Sequence, residues 1–383
     1  MPSSALLHTL QSAGAQIHEP GVWRAWTPAD SPIPASHPNP GEDCVYKPWP
    51  KVKRRTSFEP TRLCLRNETV DSISKDVAHG YISADCQNLV ELFDHPLYRP
   101  TWGPSMFRNG SKETLDKLKK EEHATRSILL DIGANIGICT ITLLLMTKAS
   151  IVAFEPNPVN LYHLTRTLSK MAWEEPRGIS PSIVDRVVVY PMGLGEADAK
   201  RVSRMQSTNG GNSIIAEPGV SLERAGIGAP REEVAPQPVI VRRLDAVFSP
   251  ALANLIRVVK IDVQGYECRV LDGDGRGILS TAHAVYAESS PAHLDVTGCS
   301  AVGLRERMEA GGARWVRFTK TGHMGRDQDS ANGMFIARRT VVKGEQAASL
   351  RPSAAFSTAV DEGMIPALSL SQIRSYSGCN SRL

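Results

Sequence analysis

Short apolar segments alternate with amphipathic ones between residues 127 and 339, and no other feature of the sequence restricts the fold as strongly. Strands and helices that alternate in this way form a parallel sheet with helices on both faces. We therefore predict an α/β fold that ends in an antiparallel hairpin, residues 314–318 and 333–337. The other predicted strands are 127–131, 151–155, 187–192, 258–262 and 284–288, and helices are predicted to begin near Ile136, Pro158, Glu267 and Ala301.

The chain divides into four parts by composition. Residues 1–68 are rich in Pro, Ser and Trp and show no sustained periodicity, which predicts a largely irregular N-terminal extension. Residues 69–126 have apolar residues at helical spacing and then a charged, helix-prone stretch, so we expect a helical segment that packs on the core. Residues 127–339 form the predicted α/β domain, and residues 340–383 a tail with one weak helix.

Charge and cysteine content argue against several classes of protein. Lys and Arg total 44 against 40 acidic residues, so a nucleic-acid binder is not expected. The seven cysteines are odd in number and lack metal-ligand spacing, which argues against a disulfide framework and against a metal site. No segment approaches the length of a membrane span. We expect a cytoplasmic protein, with a peroxisomal location as the alternative because the chain ends in Ser381-Arg382-Leu383.

The stretch ILLDIGANIGI, residues 128–138, joins the first predicted strand to the first predicted helix. Gly133 and Gly137 permit positive φ angles and close approach of a ligand to the backbone, and the start of the helix offers unpaired amides. A dinucleotide site has the spacing G-x-G-x-x-G, whereas this loop has G-x-x-x-G with Asn135 between the glycines. The spacing disfavours a nicotinamide oxidoreductase and favours a ligand with a carboxylate and a ribose but no phosphate.

Glu155 ends the second predicted strand, 18 residues beyond Gly137. A carboxylate at this position accepts hydrogen bonds from two ribose hydroxyls and repels a 2′-phosphate. Each feature alone is also compatible with a tight turn and a solvated carboxylate in an unrelated α/β protein. The glycine turn and Glu155 together, at the ends of two consecutive strands, favour a nucleoside ligand.

Several segments in one order make this sequence resemble the FkbM family of S-adenosylmethionine-dependent methyltransferases. They are LLDIGANIG, VAFEPNPVN, YPMGLGEADA, GGNSI, VRRLDAVF and VVKIDVQGYECRVLDG. The last resembles the family's run K-I-D-V-E-G-x-E-x-x-V-L-x-G at nearly every fixed position, although Gln264 replaces the usual Glu. The resemblance covers about residues 127–339 and implies a Rossmann-like class I methyltransferase fold with a seven-stranded, mostly parallel sheet.

The resemblance also implies a site for S-adenosylmethionine. The methionine end is expected to contact Asp131, Gly133, Asn135 and Gly137. Glu155 would hold the ribose, and Pro156 and Asn157 would shape the wall around the adenosine. The turn 193–196 would border the adenine, which makes Glu196 a further candidate. The alternative for Glu196 is a carboxylate on a surface turn.

Acids at the ends of the fourth and fifth strands are candidates for the reacting end, because ligands of open α/β sheets bind beyond the carboxyl ends of the strands. Methyl transfer to a hydroxyl needs in-line positioning and a base that takes the proton. Asp262, Glu288 and His293 are the catalytic candidates; the alternatives are a turn cap for Asp262 and a merely exposed His293. For Glu267, a structural role is at least as well supported as a catalytic one, because it could cap its helix or pair with Lys260.

We predict a methyltransferase that acts on a hydroxyl of a small molecule or a glycan, the choice of oxygen being implied by the resemblance. The alternative is a binding module that keeps the cofactor pocket but has lost catalysis. The segment 205–241 is inserted between the third and fourth predicted strands. Its residues 210–213 are expected to form a mobile flap beside the acceptor, or the tip of a hairpin at the sheet edge.

Overall fold

The structure, a computed structural model, describes residues 18–19, 23–28, 44–48, 62–67, 71–79, 86, 89, 127–147, 149–174, 185–216, 234–248, 255–282, 284–311, 313–318, 324–325 and 332–337. All of them belong to one compact unit, residues 1–340. The predicted tail and the charged, helix-prone stretch 111–125 lie outside the described residues.

Short strands occur in the N-terminal extension, which was expected to be largely irregular. They form two antiparallel pairs, β1 (His18–Glu19) with β2 (Trp23–Arg24) and β3 (Val45–Pro48) with β4 (Arg62–Leu65). Strands of two to four residues are too short to show a period of two in the sequence.

The extension also reaches the main sheet and ends in a helix. Trp26 exchanges two backbone hydrogen bonds with Val189, at 2.7 and 2.8 Å, and thereby continues the edge of that sheet. Helix α1 (Ser72–Ala78) follows, and its N-cap residue Asp71 accepts a hydrogen bond from the amide of Ser74 at 2.9 Å.

The first half of the α/β domain contains three parallel strands and two helices. These are β5 (Ile128–Ile132), α2 (Ile138–Met146), β6 (Ser150–Phe154), α3 (Pro158–Glu174) and β7 (Val187–Tyr190). Every residue of the three strands is buried. Continuous apolar runs of this kind are typical of parallel strands that are covered on both faces.

A second, four-stranded sheet follows, which the sequence analysis did not predict. It contains β8 (Gly193–Leu194), β9 (Ala199–Arg204), β10 (Ile214–Ala216) and β11 (Gln237–Arg242) in the order β10-β9-β11-β8. The segment 205–241 is thus partly built into a sheet. Helix α4 (Leu244–Val247) then leads back to the main sheet.

The rest of the domain completes the main sheet. The elements are β12 (Ile256–Ile261), α5 (Glu267–Asp272), a 3₁₀ turn (Leu279–Thr281), β13 (Ala284–Glu288), α6 (Pro291–Val296), α7 (Ala301–Ala310), β14 (Ala313–Phe318), β15 (Met324–Gly325) and β16 (Asn332–Ala337). The strand order is β15-β14-β16-β13-β12-β5-β6-β7. Strands β13, β12, β5, β6 and β7 are parallel, β16 pairs antiparallel with both β13 and β14, and β15 pairs antiparallel with β14. The described sheet therefore has eight strands, the short β15 included.

Alternate residues of the parallel strands pack on opposite faces. Leu129 and Ile151 join the core on the side of α2 and α3, whereas Leu130 and Val152 join the core that contains residues of α5 and α7. The main sheet is thus covered by helices on both faces. The carboxyl ends of its parallel strands lie on the same side of the sheet, and the candidate functional residues lie there.

Three pairs of cysteines are bonded, which corrects the expectation that the chain has no disulfide framework. The pairs are Cys44–Cys64, Cys86–Cys139 and Cys268–Cys299, with Cα–Cα distances of 5.2, 5.1 and 6.1 Å. An odd count and irregular spacing did not reveal these pairs, because their members are 20 to 53 residues apart and meet only in the fold. Within the described residues, no helix is both long and apolar enough to cross a bilayer.

Candidate functional site

Three residues of the turn between β5 and α2 have positive φ angles: 81° at Gly133, 54° at Asn135 and 92° at Gly137. The amide of Gly133 donates to the carbonyl oxygen of Phe154 at 3.0 Å. A Cβ atom at Gly133 would lie 1.8 Å from the carbonyl oxygen of Asp262. The turn is therefore pressed between the ends of β6 and β12, and only glycine fits at position 133.

Glu155 follows β6 and is buried against this turn. Its carboxylate accepts hydrogen bonds from the amide of Asn135 at 2.7 Å and from the amide of Asn157 at 2.8 Å. Burial raises the pKa of Glu155 to about 7, although these hydrogen bonds oppose the rise. A ligand that donates hydrogen bonds to the carboxylate favours its ionised form. Glu155 is thus placed to receive hydroxyl donors.

Lys260 of β12 lies between two carboxylates. Its Nζ is 3.3 Å from Asp131 Oδ1 and 3.3 Å from Asp262 Oδ2, and it donates to the carbonyl oxygen of Gly133 at 2.9 Å. Thr140 of α2 donates to Asp131 Oδ2 at 2.6 Å. One buried cation therefore joins the first strand, the glycine turn and the fourth strand, and compensates the charge of buried acids.

Asp262, Gln264 and Glu288 meet beyond the ends of β12 and β13. The side-chain amide of Gln264 donates to Asp262 Oδ1 at 2.8 Å and to Glu288 Oε2 at 2.6 Å. Burial disfavours the charged form of Asp262, yet Lys260 and hydrogen bonds from its neighbours hold the pKa of Asp262 below its ordinary value. Asp262 is therefore ionised at neutral pH, as a general base must be.

Glu267 and His293 lie beside the segment that follows Asp262. Glu267 accepts a hydrogen bond from the amide of Val263 at 3.0 Å, and burial raises the pKa of Glu267 to about 7. Burial lowers the pKa of His293, and the charge of Asp262 opposes that change. The hydrogen bond from Val263 favours the structural interpretation of Glu267.

A cleft lies over these groups, and both polar and apolar side chains line it. Predicted site residues in its lining are Gly133, Asn135, Glu155, Pro156 and Asp262. The other lining residues are Ile132, Phe154, Asn160, Met192, Gly193, Leu194, Gly211, Ser213, Ile215, Val263 and Gln264. The cleft thus brings the glycine turn, the acid of the second strand and the acid of the fourth strand together.

The other predicted site residues lie outside the lining of this cleft: Asp131, Gly137, Asn157, Glu196, Glu288 and His293. Asp131 is fully buried and holds Lys260, so it supports the glycine turn from below. A Cβ atom at Gly137 would lie 2.2 Å from Leu164 Cδ1, which makes this glycine a packing requirement.

Asn157 and Glu196 also have partners within the protein. Asn157 caps α3, because its side-chain oxygen accepts a hydrogen bond from the amide of Val159 at 2.9 Å. Glu196 pairs with Arg269 at 2.5 Å. The structure therefore places Glu196 beside α5 and not in the cleft wall, where it was expected to border the adenine.

Asn160 lines the cleft and was not predicted from the sequence. Its side-chain nitrogen lies 3.5 Å from Glu155 Oε1 and 3.4 Å from the carbonyl oxygen of Gly210. The sequence signals for Asn160 were its place at the end of the segment VAFEPNPVN and in the first turn of α3. Asn160 connects the acid of the second strand to the segment 210–213.

The described residues include one group of three potential metal ligands, Cys44, Cys64 and His163, whose ligand atoms lie within 4.8 Å of one another. The two sulfurs are bonded to each other, so neither is a thiolate ligand. None of the three lines the cleft.

Residues 131–313 match the sequence profile of the methyltransferase FkbM domain. These 183 residues, just under half of the chain, are similar to that domain. The match begins at Asp131 in β5, so the strand pairs and helix α1 of the N-terminal part precede it. The resemblance seen in the sequence motifs is thereby confirmed.

Two solved structures are similar to parts of this chain. Methyltransferase FkbM from Methylobacillus flagellatus KT has 15% identity, covers 69% of this chain and has a TM-score of 0.34; this chain spans 60% of its length. An O-methyltransferase from Bacillus cereus, in complex with SAH, has 12% identity, covers 70% of this chain and 99% of its own, and has a TM-score of 0.26. Likenesses of this extent establish neither a fold nor an activity. A comparison with curated proteins finds no match.

Proposed function

We propose that this chain is an S-adenosylmethionine-dependent methyltransferase that acts on a hydroxyl of a small molecule or a glycan. The observation that carries the proposal is the single cleft in which the glycine turn, Glu155 and Asp262 meet. The FkbM methyltransferase domain over residues 131–313 supports it. The choice of a hydroxyl acceptor is what the resemblance to the FkbM family implies, and an ionised acid at the end of β12 is compatible with it.

The lining residues fit the cofactor in chemical type. The carboxylate of Glu155 and the side chain of Asn160 would hold the ribose hydroxyls. The glycine turn would face the amino-acid end of the cofactor, since Gly133 and Asn135 lie in the lining of the cleft. Apolar side chains would cover the adenine, namely Phe154, Met192, Leu194 and Ile215. When bound, S-adenosylmethionine supplies an electrophilic methyl group.

The residues of the chain supply positioning and proton transfer. Asp262 is ionised, lines the cleft and is fixed on one side by Lys260 and on the other by Gln264. It would accept the proton of the acceptor hydroxyl as the oxygen attacks. Glu288, held to Asp262 through Gln264, would stabilise the proton once it has been transferred.

Calorimetric titration with S-adenosylmethionine, followed by mass spectrometry of hydroxyl-bearing compounds incubated with it, tests the proposal. We expect binding and a gain of one methyl group by at least one compound. Asp262→Asn should lower kcat about 100-fold or more, in the range of general-base contributions, and leave cofactor affinity nearly unchanged. Binding without methylation of any compound would favour the inactive binding module, and absence of binding would exclude both.

Two glycines of positive φ test whether the cofactor binds at the glycine turn. A Cβ at Gly133 would clash with the backbone of Asp262, whereas a Cβ at Gly298, with a φ angle of 74°, would meet nothing within 4 Å. In both Gly133→Ala and Gly298→Ala, alanine has to adopt a positive φ angle, which costs of order 1–3 kcal/mol of backbone strain. Gly133→Ala should abolish cofactor binding and Gly298→Ala should preserve it, as measured by calorimetry on variants whose circular dichroism is native. Equal affinities would place the cofactor elsewhere.

A further inference from the structure

The reacting end of the cleft is rich in hydrogen-bond acceptors. Among the described residues, the lining of the whole cleft includes the carboxylates of Glu155, at the proposed ribose end, and of Asp262, at the reacting end, and has no Lys, Arg or His. The nearest cation, Lys260, already lies 3.3 Å from each of two carboxylates. A carboxylate or phosphate on an acceptor would therefore be repelled by the carboxylates of the cleft and would find no cationic side chain among the lining residues to pair with.

Gln264 adds a second kind of acceptor at this end. Its backbone has a φ angle of 52°, which is unusual for a residue other than glycine, and its side chain bridges the ends of β12 and β13. Because its amide nitrogen donates to both Asp262 and Glu288, its oxygen Oε1 faces away from them. Within the described residues, this buried oxygen has no hydrogen-bond partner, and Gln264 lines the cleft. A buried carbonyl oxygen in this state is stabilised by any donor that a ligand brings.

We infer that Gln264 is a specificity-determining residue, whose Oε1 accepts a hydrogen bond from a second hydroxyl of the acceptor while Asp262 receives the proton of the reacting one. The acceptor is then a neutral polyol with neighbouring hydroxyls, and acceptors that carry a carboxylate or a phosphate near the reacting group are rejected. The inference rests on the proposed function and specifies the substrate class of that site.

The amide of Gln264 has a role that a carboxylate cannot take. A Glu at position 264 would lack the donor that bridges Asp262 and Glu288, and would place a third negative charge beside them. One of three adjoining carboxylates would then take up a proton near neutral pH. The amide keeps Asp262 available as a base and leaves a neutral oxygen for the substrate.

The first experiment compares Gln264→Glu with Gln237→Glu, which makes the same change on β11 outside the cleft. With a neutral monosaccharide glycoside at pH 7, we expect kcat of Gln264→Glu to fall about tenfold or more, and the acid limb of its pH–rate profile to move to higher pH. The charged groups that face this cluster, and that both variants retain, are Asp131, Lys260, Glu267 and His293. Gln237→Glu should behave as the unaltered protein, and a Gln264→Glu variant with the same profile would overturn the inference.

The second experiment compares three acceptors with the unaltered protein: the neutral glycoside, the corresponding uronic acid and the sugar phosphate. We expect kcat/KM to be at least about tenfold higher for the neutral compound. Comparable use of either anionic compound, or cofactor binding without methylation of neutral polyols, would overturn the inference. Failure to bind S-adenosylmethionine would instead overturn the proposed function itself, so the two failures are distinguishable.

Discussion

Burial raises the pKa of the Glu155 carboxyl, and in the proposed site this side chain would connect cofactor binding to pH. Its pKa of about 7 means that the carboxyl is about half protonated at neutral pH in the ligand-free protein. An acid whose pKa is raised by folding destabilises the fold as the pH rises from 4.5 towards 7, because only the unfolded chain then ionises freely. Ribose hydroxyls would donate to the ionised form, so cofactor binding must first remove the proton.

We therefore expect the affinity for S-adenosylmethionine to fall about tenfold from pH 8 to pH 6, since the ionised fraction of a group with a pKa near 7 falls by that factor. Calorimetry at a series of pH values measures this directly. Glu155→Gln should bind more weakly and lose the pH dependence. Glu267→Gln is the matched control, because the pKa of Glu267 is also raised to about 7 but its carboxylate holds a backbone turn. If Glu267→Gln removed the dependence and Glu155→Gln kept it, the ribose assignment would be wrong.

Residues whose backbone is constrained could be predicted from the sequence, and residues distinguished only by side-chain direction could not. Gly133 and Asn135 were recognisable because a strand-to-helix turn needs positive φ angles there. Asp131 lies on a strand that is buried throughout, so no alternation showed that its side chain points to Lys260 and away from the cleft. Glu196 has a carboxylate at the expected place in the chain, but Arg269, 73 residues later, engages it.

At the scale of elements, the segment that contains β4 and α1 holds part of the cleft wall, although it precedes the residues that match the FkbM profile. The amide of Gly210 donates to Asp71 Oδ1 at 2.7 Å, and the amide of Ser72 donates to the carbonyl oxygen of Thr208 at 2.9 Å. A Cβ at Gly211 would lie 2.0 Å from Ile73 Cδ1. The segment 210–213, for which a mobile flap and the tip of a hairpin were the alternatives, lies between the paired strands β9 and β10 and is fixed by the N-terminal part of the chain.

Asp71→Ala should weaken both the fold and the cleft. Asp71 is buried, lies 3.6 Å from the buried guanidinium of Arg66 and caps α1. Removal of one partner of a buried ion pair costs about 3–5 kcal/mol, which chemical denaturation would measure. At temperatures where the variant is folded, its affinity for S-adenosylmethionine should fall several-fold, about 1 kcal/mol for a lost hydrogen bond to the flap.

The matched control is Asp76→Ala, on the exposed side of the same helix. This change should leave the cofactor affinity unaltered and shift the unfolding free energy by no more than about 0.5 kcal/mol. An Asp71→Ala variant that bound the cofactor as tightly as Asp76→Ala would show that the N-terminal segment does not support the cleft.

The parallel strands could be predicted because burial on both faces leaves long apolar runs, and their observed bounds differ from the predicted ones by at most two residues. The second sheet was not predicted, because its strands lack the long apolar runs that burial on both faces produces. Strand β9 has the sequence AKRVSR and is mostly half-exposed, so its composition resembles that of a loop. Its pairing with β11 depends on residues more than 30 positions away, which no local pattern reveals.

At the scale of the whole molecule, six of the seven cysteines are joined in pairs. The pair Cys86–Cys139 connects the N-terminal part to α2, directly after the glycine turn. Disulfides persist in oxidising compartments. They therefore oppose the expected cytoplasmic or peroxisomal location, which stays a prediction.

We expect thiol titration of the denatured, unreduced protein to find one free thiol, and titration after reduction to find seven. The double variant Cys86→Ser with Cys139→Ser should lower the unfolding free energy by about 4 kcal/mol, the loop-closure value for a separation of 53 residues. The corresponding change at Cys44 and Cys64, 20 residues apart, should cost less. Seven reactive thiols before reduction would contradict the pairing.

The placement of Lys260 between Asp131 and Asp262 has a consequence for the order of events in a catalytic cycle. One positive charge is shared by two negative ones, and Glu155 and Glu288 lie nearby, so the pocket region is anionic overall at alkaline pH. Under the proposed function, a sulfonium donor would enter this field as a cation, whereas the spent thioether would leave it without that charge. Coulomb attraction then makes the affinity for the positively charged donor higher than the affinity for the demethylated by-product. Added salt screens this attraction and should therefore narrow the difference between the two dissociation constants.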